Sequence, residues 1–208
     1  MAATFTNHIE FAVQNDDVLR VDADMLILKH AQSFYGVDQV VANMLEMEGI
    51  TSLSEIAETL TQEDHLHIPQ TSSLQAKTVL FVKTPSLSTF HYPDLRQFGI
   101  DAIKLTSKYS GNASHIATTL HGPGFGLDFA ASFLAQIGGL LDGLAGLSIP
   151  TALKGISLVE RNPEKSALMA LLLKQRFMGE PYIRPSPTGV SQMIDINQLQ
   201  AIRSNQDS

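Results

Sequence analysis

The sequence predicts an α/β protein, a sheet layered with helices on both of its faces. Three observations carry that reading. Short apolar runs of strand length alternate with longer stretches whose apolar residues recur at helical spacing. Two glycine-bearing loops, residues 33–38 and 121–128, each follow a strand-like run and open a helix-like one. The composition, 44% hydrophobic and 17% charged over 208 residues, suits a globular chain with a proper core.

Taken in order, residues 9–13 (Ile-Glu-Phe-Ala-Val) alternate apolar and polar positions, which predicts an edge or antiparallel strand. Asn15-Asp16-Asp17 is turn chemistry. The continuous apolar run Met25-Leu26-Ile27-Leu28 suits a strand buried on both faces. Gly36-Val37-Asp38 then opens a helix marked by Val37, Val40, Val41, Met44 and Leu45, and residues 52–60 read as a second, shorter helix. Residues 77–82 form a strand and residues 86–92 a loop. Pro93 suits the first turn of a helix that runs to Tyr109 and is loosened at Gly99.

Residues 115–120 give the next strand, followed by the glycine loop and a helix to about Leu144. The glycines of that helix (Gly138, Gly139, Gly143, Gly146) suit close packing against a sheet. Residues 155–160 read as the final strand. Asn162 as N-cap and Pro163 at the first helical position start the last long helix, to about Phe177. This places one α/β domain over residues 1–178. Residues 179–208 carry Pro181, Pro185 and Pro187 and end in polar residues, so they read as a linker or tail with at most a short helix over 195–202.

Composition excludes several functions. With no cysteine, the chain has no disulfide, thiolate metal site or cysteine nucleophile. A net charge of −7 argues against a nucleic-acid partner. Residues 127–149 are rich in Gly, Ala and Leu and about as long as a membrane span. They carry Asp128, Gln136 and Asp142, however, and the start of the chain lacks a signal-peptide pattern, so we expect a cytoplasmic protein with no membrane partner. His65 and His67 lie near Glu63 and Asp64 in what reads as a polar loop without a third ligand at sensible spacing, so no metal site is assigned. No Gly-x-Ser-x-Gly elbow exists, and no catalytic residue is assigned.

What remains is a binding signature. In open α/β sheets, ligands sit beyond the carboxyl ends of the strands. Both glycine loops lie at such ends, as do Glu160 and Arg161. The loop His121-Gly122-Pro123-Gly124-Phe125-Gly126-Leu127-Asp128 leaves its backbone N–H groups unobstructed, and the helix after it offers the positive end of a dipole to an anion. Asp128 reads as that helix's N-cap, in which case it competes with a phosphate for the same donors. His30 and His121 border these loops and are candidate contacts. Asp16 and Asp17 are acceptors for the amino group of a base.

In this order the pieces resemble a macro domain: an Asp-containing turn (Asn15-Asp16-Asp17), Val21-Asp22-Ala23, Gly36-Val37-Asp38, and the loop Gly122-Pro123-Gly124-Phe125-Gly126. The likeness closes with residues 156–160, then Asn162-Pro163 and its helix, and covers about residues 8–178. The amino-terminal domain of leucine aminopeptidases shares the plan. The resemblance implies a three-layer α/β/α sandwich with a central mixed sheet that binds ADP-ribose or a related nucleotide diphosphate, without a cofactor. Asp16 or Asp17 would meet the adenine amino group. Gly36 and Val37 would form one phosphate-side loop, and Gly122 to Leu127 (with Pro123, Gly124 and Gly126) would cradle the diphosphate. Phe125 would cover the distal ribose, and Glu160 or Arg161 would lie near the adenine end.

Family members that hydrolyse ADP-ribosyl linkages have an Asn-rich strand end and a run of glycines before Gly-Val-Asp. Here Leu28-Lys29-His30-Ala31-Gln32-Ser33 and the bulky Phe34-Tyr35 stand in their place. Groups that would position a catalytic water are therefore missing, and the bulky pair would narrow the pocket. A binding module in signalling or defence is the expectation, with room in that plan for a fused or associated effector domain and for an oligomer. Hydrolysis of an ADP-ribosyl linkage (through Asp38 or His30) and a purely structural assembly role are the alternatives.

Overall fold

The computed structural model describes residues 8–146, 149, 152–186 and 191–206. In chain order it begins with β1 (His8–Gln14), β2 (Met25–His30), α1 (Val37–Met47), α2 (Leu53–Gln62), β3 (His65–Ile68) and β4 (Thr78–Lys83). There follow α3 (Tyr92–Tyr109), β5 (His115–Thr119), α4 (Phe129–Ala145), β6 (Gly155–Val159) and α5 (Pro163–Phe177). The chain closes with β7 (Ile183–Pro185), β8 (Gln192–Asp195) and α6 (Ile196–Gln206). Single 3-10 turns at Val18–Arg20 and Pro123–Phe125 sit in the loops after β1 and β5.

The strands form one mixed sheet in the order β3-β4-β2-β5-β6-β1-β8-β7. The five central strands, β4 to β1, run parallel, while β3 and the β8-β7 pair are antiparallel additions at the two sides. Strand alternation sends one set of side chains to each face. Met25 and Ile27 of β2 and Leu80 and Val82 of β4 join a core with Phe98 of α3, Phe133 and Leu140 of α4, and Met169 of α5. Leu26, Leu28, Val79 and Phe81 join a second core with Val41 and Leu45 of α1 and Ile56 and Leu60 of α2. That makes three layers, α/β/α. Because the parallel strands all end on one side, the loops after β2, β5 and β6 share that rim.

Several sequence expectations change. The alternating first strand is internal, held by β6 on one side and β8 on the other. Its alternation arises because Ile9, Phe11 and Val13 face a helical layer while Glu10, Ala12 and Gln14 lie on the opposite, half-open face. β6 is not the last strand. Residues 183–185 and 192–195 add to the sheet through β1, and Ile194, Ile196 and Leu199 enter the large core, so this stretch is not a linker. Such strands of three or four residues carry no periodicity of their own; β8 forms on β1, and β7 on β8.

His65 and His67 are on a strand, not in a polar loop. His65 Nε2 lies 2.6 Å from the Tyr109 hydroxyl, and His67 stacks on the same ring at 4.7 Å. Gly99 does not loosen α3, which runs unbroken for 18 residues. It is a contact point instead, since a Cβ there would lie 2.6 Å from the Leu140 amide. Gly139 likewise has room only for hydrogen against the Arg96 carbonyl. The glycines of α4 therefore serve a close helix–helix crossing rather than packing on the sheet. No helix among the described residues is long and apolar enough to cross a membrane.

Candidate functional site

A crevice of about 450 Å³ opens at the carboxyl ends of β2, β5 and β6. One wall is the loop into α1, with Tyr35, Gly36, Val37 and Asp38; the other is the loop after β5, with His121, Gly122, Gly124 and Phe125. Asp17, Glu160 and Arg161 close one end. Asn15 ties that end together, donating to the carbonyls of Glu160 at 2.9 Å and Arg161 at 3.1 Å.

The two helices that start at the crevice are terminated differently. Gly36 is the N-cap of α1 at φ 58°, ψ −130°, a backbone state that side chains resist, and no side chain caps the helix. The first-turn N–H groups of α1 have no intrahelical partners by geometry, and they lie beside the cavity. At α4, the carboxylate of Asp128 accepts the N–H of Ala131 at 2.8 Å, so that helix caps itself, as its sequence predicts. Of the donors expected from the helix after the 121–128 loop, the Ala131 N–H is thus taken by Asp128, whereas no side chain among the described residues takes a first-turn N–H of α1.

At the floor, Lys29 Nζ donates to Asp38 Oδ2 at 2.5 Å, and each side chain is only 3% exposed. Lys29 sits near the end of the apolar run of β2, and its ammonium lies 5.7 Å from the centre of the Phe125 ring. Burial raises the Asp38 carboxyl to about 6, against the opposing pull of the Lys29 charge. Its second oxygen, Oδ1, is buried without a partner among the described residues. His121 is buried against Phe98, ring centres 4.8 Å apart, and its backbone N–H donates to Gln136 Oε1 at 3.1 Å. Burial, aided by the charge of Lys29, holds its imidazole well below the usual histidine range, so it is neutral at neutral pH.

No protein-family model matches the sequence, and no curated protein matches it. Solved structures do. A macrodomain of Oceanobacillus iheyensis with MES bound superposes at a TM-score of 0.61 with 13% identity, over 84% of this chain and 94% of that one. A variant of the same macrodomain, solved with ADPR, gives 0.59 and 13% over 84% and 96%. The macrodomain of Thermus aquaticus DarG gives 0.53 and 10% over 72% and 97%. The fold is a macrodomain fold.

On the macrodomain frame, ten sequence-predicted residues line one cavity: Asp17, Gly36, Val37, Asp38, His121, Gly122, Gly124, Phe125, Glu160 and Arg161. Five are not among its lining residues. Asp16 accepts the N–H of Asp17 at 2.7 Å in the turn outside. His30, one position after Lys29, takes the opposite side of β2 by strand alternation and packs edge-on against Phe34 at 4.8 Å. Pro123 starts the 3-10 turn and Gly126 ends it at φ 89°, and Leu127 packs near Gly122. Phe34 turns away toward His30 and Phe81, so only Tyr35 and Phe125 narrow the mouth, ring centres 5.5 Å apart.

Lys29 is the residue that sequence reasoning misses. A signal for it exists: a lysine within an apolar strand is seldom buried without a carboxylate, and Asp38 at the head of the following helix is at hand.

Proposed function

We propose that the crevice binds ADP-ribose or a closely related nucleotide diphosphate and that the chain acts as a binding module. One observation carries the reading. In a chain of net charge −7, the uncapped amino terminus of α1 and the buried ammonium of Lys29 border the same cavity. An acidic protein repels a diphosphate at long range, so attraction must come from backbone donors and a local cation in a sheltered site. The macrodomain neighbour solved with ADPR supports that ligand class.

In this reading the diphosphate lies between Gly36-Val37 and Gly122 to Gly124. Asp17, Glu160 and Arg161 meet the base, and Tyr35 and Phe125 close over the far sugar. Binding is favoured over hydrolysis because Asp38, the carboxylate beside the phosphate loops, already holds Lys29 with one oxygen.

Titration calorimetry with ADP-ribose tests the assignment through Gly124→Glu. A Cβ at 124 meets nothing within 4 Å, so the substitution fills the crevice with volume and negative charge while sparing the fold. Affinity should fall at least ~100-fold, about 2.7 kcal/mol, with the melting temperature retained. Unchanged affinity in the folded variant would remove the phosphate cradle from residues 122–124.

A further inference from the structure

At the opposite end of β5 and β6, away from the crevice, the sheet carries a second hollow of about 370 Å³. It lies on the face that α1 and α2 cover farther along, where their core reaches the sheet at Ala117 and Val159. Its floor is made of small residues, Ala12, Gly155 and Ser157, and its walls include His115, Gln14 and Lys154.

Within it, His115 Nε2 lies 2.8 Å from Ser157 Oγ, and His115 Nδ1 lies 2.9 Å from the carbonyl oxygen of Asp22. A carbonyl can only accept, so Nδ1 carries the ring proton. In the neutral imidazole Nε2 is then the bare nitrogen, and the Ser157 hydroxyl donates to it. This is the polarity a nucleophile and its general base require, with the Asp22 carbonyl as the group that fixes the tautomer.

The surroundings hold the pair in place. Asp24 Oδ2 accepts the backbone N–H groups of Ser114 at 2.7 Å and His115 at 3.1 Å, which pins the backbone that presents the ring. The ring lies across Gly155, where a Cβ would sit 3.2 Å from its Cδ2. β5 and β6 are already joined by a five-residue parallel register, so the sheet does not depend on this side-chain bond.

We propose that Ser157 is a nucleophile activated by His115 and that the hollow takes small, uncrowded acyl esters. Oγ forms a bond to the acyl carbon as its proton passes to Nε2, and the ester C–O bond breaks. The departing alkoxide takes the proton from Nε2 and leaves as the alcohol. Water, deprotonated by the same nitrogen, then releases the acid and restores Ser157. Gln14 and Lys154, on the same walls, are the available donors for the oxyanion.

Two measurements on the full chain decide the matter. p-Nitrophenyl acetate should release nitrophenol and leave an acetyl group on Ser157, located by peptide mass mapping. His115→Asn keeps a donor for the Asp22 carbonyl but lacks Nε2, and should slow acylation ~100-fold with the fold intact. Second, because the chain has no cysteine, Ser157→Cys creates its single thiol. Iodoacetamide should alkylate that thiol at neutral pH at least ~10-fold faster when His115 is retained than when Ser157→Cys is combined with His115→Asn. A wild-type protein that neither releases nitrophenol above the buffer rate nor carries acetyl at Ser157, or a thiol that reacts at one rate in both backgrounds, would overturn the proposal.

Discussion

The two glycine loops look alike in sequence and do opposite things. Each follows a parallel strand, contains glycine, and meets an aspartate at the start of a helix. At residue 128 the aspartate caps its helix, accepting the N–H of Ala131, and so occupies one of the donors that an anion would use. At residue 38 the aspartate lies inside the first turn, turns inward to Lys29, and leaves its helix end uncapped at Gly36. A difference of two positions relative to the cap separates them, Asp128 being the N-cap and Asp38 the second residue after Gly36. A carboxylate at the N-cap satisfies the helix end, whereas one in the first turn needs a partner elsewhere. Both loops are walls of the crevice, and it is the plainer one that carries a helix end without a side-chain cap.

The strongest way to break this contrast is to remove the partner of Asp38. Lys29→Met leaves a buried carboxylate unpaired, and stability at pH 7 should drop by about 3–5 kcal/mol in chemical denaturation. The pH dependence identifies the cause. The Asp38 carboxyl is already raised in the folded state, so its neutral form stabilises the fold fully below 3.8, and that contribution is lost as pH rises through about 6. Without the ammonium the folded value rises further, so the variant should recover part of its deficit between pH 7 and pH 5. His121 has the opposite sign in wild type and variant alike: its lowered value means stability is lost as pH falls below 6.5. Because the Lys29 charge also contributes to the lowering at His121 and His30, the same comparison made in an Asp38→Asn background isolates the Asp38 part. A deficit that stays constant with pH would show that Asp38 is not what Lys29 compensates.

Gly36→Ala tests the other half, the backbone that leaves α1 uncapped. No atom lies within 4 Å of the Cβ it would add, yet the position sits at φ 58°, ψ −130°. Any loss is thus conformational, about 1–3 kcal/mol. Gly124→Ala, also in open space and without a positive φ, should change stability by less than about 0.5 kcal/mol. Equal effects at the two glycines would erase the distinction drawn between their loops.

How much of this is legible in the chain varies with the physics involved. β2 and β4 can be read because both their faces are buried, which leaves unbroken apolar runs. The crevice walls can be read because a backbone that must turn sharply from strand to helix calls for glycine. β7 and β8 cannot, since strands of three and four residues take their shape from a neighbour, β8 from β1 and β7 from β8, rather than from a pattern within themselves. The expectation for His30 misses by one strand position; Lys29, its neighbour, has the side that faces the crevice. The His115–Ser157 pair leaves no sequence motif at all, because two strands about 40 residues apart bring it together and no glycine elbow is involved.

The smallest expected effect is at Asp128, and it separates capping from ligand binding most cleanly. Asp128→Ala removes one hydrogen bond to the first turn of α4 and a favourable charge at its positive end, and should cost about 1 kcal/mol of stability. It also frees the Ala131 N–H. If anions were drawn to that helix end, ADP-ribose would bind the variant more tightly than wild type. If α1 and Lys29 supply the attraction, affinity should stay within about twofold while stability falls. Calorimetry on the two proteins at one salt concentration distinguishes these outcomes, and a marked gain in affinity would move the anion site from α1 to α4.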